Sequence, residues 1–82
     1  MKIIKIKNDI EMKVLKDYGF RLYDNGMYSK PLENLEIKIK PVSREIVVDF
    51  YEDEINIIEV LAVIQELIND GLTEIVEIDE GE

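Results

Sequence analysis

The longest periodic stretch of the chain runs from Asp53 to Gly71, DEINIIEVLAVIQELINDG. On a helix Ile57, Leu61, Ile64 and Ile68 fall at i, i+4, i+7 and i+11, and Val60 and Leu67 widen that row into one broad apolar face. The spacing predicts a long amphipathic helix with the Leu61 row turned to the core. Asp53 or Asn56 can cap its first turn, Glu59 stands three residues after Asn56 as a capping box requires, and Gly71 suits the left-handed closing position.

Before that helix the period is mostly two. Lys2 to Lys7 is short and rich in isoleucine, which suits a first strand. Asn8 with Glu11 then predicts a capped two-turn helix with Ile10, Val14, Leu15 and Tyr18 on one face and Gly19 as its stop. Phe20 to Asp24 and Met27 to Lys30 flank Asn25-Gly26, the pair favoured in a two-residue type I′ hairpin loop. That register sets Tyr23 opposite Tyr28, Leu22 opposite Ser29 and Arg21 opposite Lys30. The tyrosines between two cations read either as a recognition patch or as a cross-strand aromatic pair.

Lys30-Pro31 is expected to break the strand. Leu35 to Lys40 alternates cleanly, Pro41 to Arg44 reads as a four-residue turn, and Ile46, Val48 and Phe50 then oppose Ile39, Ile37 and Leu35. The opposite face pairs Lys40 with Glu45 and Glu36 with Asp49. Two carboxylates across a ladder need a cation between them, and Lys38 on the diagonal can supply it without a metal. Thr73 to Ile78 reads as a last strand. The expected order is β-α-β-β-β-β-α-β, an α+β fold in which an antiparallel meander carries one short and one long helix on one face. Residues 1–78 would form a single domain and 79–82 a mobile acidic tail.

Charge changes this picture. The net charge is −9, and it is uneven: residues 1–44 hold all ten Lys and Arg against six acids, giving +4, while residues 45–82 hold thirteen acids and no base, giving −13. Such a surplus argues against direct contact with nucleic acid or anionic lipid, where phosphate attraction dominates. No run is apolar enough for a signal peptide or a membrane span, which leads us to expect a cytoplasmic protein.

Chemistry is sparse. Without Cys or His there is no thiol nucleophile, disulfide or triad base, and the isolated glycines form no phosphate loop. We therefore expect no catalytic residues, no metal site and no cofactor. A carboxylate- and metal-dependent enzyme is the least favoured alternative. On the long helix Glu59, Glu66 and Asp70 form an acidic row, and Ile58 and Ala62 form an apolar shoulder beside the main stripe. The row, together with Tyr23 and Tyr28, is the candidate contact surface for a protein partner with a basic surface, and the shoulder is a candidate homodimer contact.

The run LKDYGFRLYDNGMYSK, followed by NLEIKIKPVSREIVVDFYEDE and a helix ending LINDGL, resembles small uncharacterised proteins of phages and prophages in low-GC Gram-positive bacteria. That resemblance implies a host-directed accessory or inhibitor protein, of the acidic kind that includes DNA mimics and anti-CRISPR inhibitors. It transfers no individual site residue.

Overall fold

The computed structural model describes residues 1–51 and 57–78. In chain order these form β1 (Lys2–Ile6), a 3-10 helix (Met12–Tyr18), β2 (Arg21–Leu22), β3 (Tyr28–Pro31), β4 (Leu35–Ile39), β5 (Ile46–Phe50), α1 (Ile57–Asn69) and β6 (Thr73–Glu77). The order is the expected one, and the class is α+β. The strands, however, divide into a four-stranded antiparallel meander, β2-β3-β4-β5, and a two-stranded antiparallel pair, β1-β6. A bridge between Lys5 and Glu45 and a bond from the Ile6 amide to the Arg44 carbonyl (3.0 Å) join the pair to the start of β5.

Both helices contribute to one core against the inward face of β4. Leu35, Ile37 and Ile39 meet Leu15 and Phe20 from the 3-10 helix and its exit, Val60 and Leu67 from α1, and Ile6, Tyr28 and Leu72. The two helix ends close in the same way. Gly19 and Gly71 take left-handed φ of 90° and 78°. The Phe20 amide donates to the Leu15 carbonyl (3.2 Å), and the Leu72 amide to the Leu67 carbonyl (3.0 Å). In this closing motif the residue after glycine packs on the residue four before it, so each turn drives a Leu and its partner into the core together.

The β4-β5 register is as expected, with Leu35, Glu36, Ile37 and Ile39 opposite Phe50, Asp49, Val48 and Ile46. The Pro41 to Arg44 turn also forms. Arg44 adopts φ 64°, and its guanidinium donates to the Lys7 and Ile10 carbonyls at 2.6 Å each, which fixes the turn to the exit of β1.

Several expectations are corrected. The β2-β3 loop is not a two-residue turn. The Gly26 amide donates to the Tyr23 carbonyl, the Tyr23 amide to the Met27 carbonyl, and only Gly26 has positive φ. This is a type I turn closed by a glycine bulge, and it spares Asn25 the left-handed conformation that type I′ would impose. The Asn25 side chain instead accepts the Met27 amide (3.0 Å). The register moves by one, pairing Leu22 with Tyr28 and Arg21 with Ser29. Pro31 ends β3 inside the ladder opposite Glu36 instead of breaking it earlier.

The first helix is a 3-10 helix that begins at Met12 behind Glu11, with no side-chain cap. Asn8 accepts from Lys5 Nζ (2.6 Å) in place of capping. The expected N-caps of α1, Asp53 and Asn56, and the 79–82 tail lie outside the described residues. Most consequentially, α1 is turned about its axis. Val60 and Leu67 are buried with Val63 and Ile64 half-buried, while Ile57, Leu61 and Ile68 are exposed.

Candidate functional site

That rotation gives α1 three faces. At 100° per residue Val60, Val63, Ile64 and Leu67 fill the core-facing arc, and Ile57, Ile58, Leu61 and Ile68 occupy the next. Leu61 is 58% exposed and Ile58 75%. Ala62, Gln65 and Asn69 border this open apolar face, with the Gln65 amide donating to Asn69 Oδ1 (2.8 Å), so the border carries no charge. The acidic residues Glu59, Glu66 and Asp70 come next, within about 40° of one another and spread over roughly 16 Å of axis. Contiguous exposed aliphatics of this kind are a common feature of interaction surfaces.

The three acids are not equivalent. Glu66 is exposed, Glu59 is half-buried, and neither has an ion-pair partner among the described residues. Asp70 is committed: Tyr18 Oη donates to its carboxylate at 2.6 Å. Tyr18 and Asp70 directly precede Gly19 and Gly71, so this bond ties the two helix ends together. The neighbouring carboxylate pushes the Tyr18 hydroxyl up from 10.0 to about 12, because the phenolate would face Asp70.

A folded-state value raised in this way means the bond contributes fully below pH 10 and is lost as the pH climbs toward 12. In alkaline titration of phenolate absorbance, the difference between wild type and Tyr18→Phe should therefore have its midpoint near 12, and Asp70→Asn should return it toward 10. A Tyr18 midpoint unaffected by Asp70→Asn would show that the bond is not formed in solution.

The expected tyrosine patch does not assemble. Tyr28 is buried opposite Ile39, and Tyr23 is exposed in the loop. Of the flanking cations, Lys30 donates to the Tyr18 carbonyl (2.8 Å), which leaves Arg21 alone on the β2 side. The one-residue register shift is the cause.

The opposite face of the meander holds a polar cluster. Lys38 joins the two facing carboxylates as expected, 2.6 Å from Asp49 and 3.9 Å from Glu36. The Ser29 hydroxyl donates to Glu36, as does the Tyr51 hydroxyl. Those two bonds hold the Glu36 carboxyl below its ordinary value of 4.5, and Asp49 raises Lys38. An ionised acceptor saturated by donors and a protonated amine paired with a carboxylate are poor base and nucleophile, and Ser29 is fully buried. The arrangement serves to fasten β3, β4 and β5 together. Among the described residues no cavity opens and no cluster of three acids is set to hold a metal. No helix among them is long and apolar enough to cross a membrane.

No family model, curated protein or solved structure matches the chain.

Proposed function

We propose that this chain is a non-enzymatic, cytoplasmic protein-interaction domain that binds a partner carrying a basic surface. The observation that carries the reading is the exposed row Ile57, Ile58, Leu61 and Ile68 on α1. These side chains are between two-fifths and three-quarters open to water, so covering each is worth roughly 1 kcal/mol. Glu59 and Glu66 border the same solvent-facing side and would steer a cationic partner, since exposed charges raise association rates more than they add affinity. An acidic inhibitor that covers the nucleic-acid-binding surface of a host protein fits both the charge and the resemblance to phage accessory proteins.

The reading is tested with a host protein retained by immobilised wild type. Leu61→Asp should release it, because a carboxylate would be buried in the contact. Glu59→Lys with Glu66→Lys, which moves the net charge from −9 to −5 (two substitutions of +2 each), should slow association and flatten its salt dependence. A retained protein indifferent to both sets of substitutions, or no retained protein at all, would refute it. The exposure of Ile58 beside Ala62 also favours a second reading, a homo-oligomer through this shoulder. Sedimentation in which Ile58→Glu converts a dimer to monomer would distinguish it.

A further inference from the structure

Strand β6 presents an outer edge on the two-stranded sheet. Across β1-β6, Met1 and Ile78 exchange both backbone bonds, and the Lys7 amide donates to the Leu72 carbonyl. Bonded pairs alternate in an antiparallel ladder, so Ile3-Val76 and Lys5-Glu74 are also bonded pairs, while Thr73, Ile75 and Glu77 turn their amides and carbonyls away from β1. Among the described residues no strand pairs with this edge. Ile75, the middle residue, is 68% exposed and shares its face with Ile4. The β2 edge has only two residues, whereas β6 offers five.

We infer that β6 pairs antiparallel with β6 of a second copy about a two-fold axis at Ile75, forming a continuous sheet β1-β6-β6-β1. This register uses all six outward backbone groups of each copy. It sets Ile75 opposite Ile75, Thr73 opposite Glu77 and Glu74 opposite Val76, so no carboxylate directly faces another. Glu74 also brings Lys5 with it at 3.7 Å. A two-fold moved to Glu74 or to Glu77 would set that residue against its own copy, which like charge disfavours. Of the possible two-folds only the one at Ile75 engages every outward group of Thr73–Glu77, and it does so with no carboxylate against another, so backbone and charge pattern together select a second copy in this register. The contact is separate from the open face of α1.

Sedimentation of the full chain from about 10 μM to about 1 mM should show a monomer-dimer equilibrium. Ile75→Pro removes only an outward amide and keeps the β1-β6 ladder, and Ile75→Lys places a charge on the axis. Each should weaken dimerisation about tenfold or more while leaving the far-UV spectrum intact, and Ile58→Glu should leave dimerisation unchanged. In a mixed-label NMR sample an intermolecular contact between the Glu74 and Val76 α-protons should appear, since these form a non-bonded, close pair. A protein monomeric throughout the range, a dimer dissolved by Ile58→Glu but not by the Ile75 variants, or a dimer lacking the Glu74-Val76 contact would overturn the inference.

Discussion

Leu67→Ala is expected to lower the unfolding free energy by about 2 to 5 kcal/mol, whereas Leu61→Ala, less than two turns away on the same helix, should cost less than about 1 kcal/mol. Leu67 is fully buried and Leu61 is more than half exposed. Truncating Leu67 forfeits transfer energy and leaves a void between α1 and Leu72, while at Leu61 solvent fills the space. A domain of this size has on the order of 5 to 10 kcal/mol to lose, so the Leu67 variant should be close to its unfolding threshold. Urea melts of the two variants decide the matter. Equal losses would mean that α1 packs through its Leu61 row in solution.

That contrast also locates what periodicity can and cannot say. Alternation in Leu35 to Lys40 and Ile46 to Phe50 offers a single inward set, and a one-residue slip would expose all of it, so the β4-β5 register was legible. The helix offers two adjacent apolar arcs, and counting isoleucines favoured the wrong one. The deciding signal is local: Leu67-Ile68-Asn69-Asp70-Gly71-Leu72 repeats the layout of Leu15-Lys16-Asp17-Tyr18-Gly19-Phe20, a leucine four residues before glycine and an apolar residue after it. Read as two glycine closures, both stretches point Leu15 and Leu67 inward.

The hairpin misreading has a similar origin. Asn-Gly is compatible with a type I turn and glycine bulge as well as with type I′, and the pairing of Tyr28 with Ile39 in the core is a tertiary fact that no dipeptide encodes. Of the candidate site, the acidic row and the Ile58 shoulder were legible from helical spacing. The Tyr18-Asp70 bond joins residues 52 positions apart, and nothing local announces it.

Glu36 should prove as important to the fold as any core aliphatic. Glu36→Ala leaves the buried Ser29 hydroxyl without its acceptor, frees Tyr51 and removes one of the two carboxylates held by Lys38. The stranded buried Ser29 hydroxyl costs about 1 to 3 kcal/mol and the lost Tyr51 bond to a charged group about 1.5 to 3, so a total of roughly 2.5 to 6 kcal/mol is expected. Glu36→Gln keeps a carbonyl acceptor and should cost less.

The two variants separate further with pH. Donation from Ser29 first, and Tyr51 second, depresses the folded-state pKa of Glu36 below 4.5. Its stabilisation is therefore fully present above that value and is lost as pH falls through the lower folded-state one. Wild type should lose more stability than Glu36→Gln between neutral pH and about pH 3, and Ser29→Ala should narrow the gap, because removing the first donor lets the folded-state pKa rise. Denaturant melts of wild type, Glu36→Gln, Ser29→Ala and the double variant at the two pH values give the coupling between the pair directly. Additive losses at neutral pH, with parallel acid profiles, would mean that the Ser29-Glu36 bond does not hold β3 to β4.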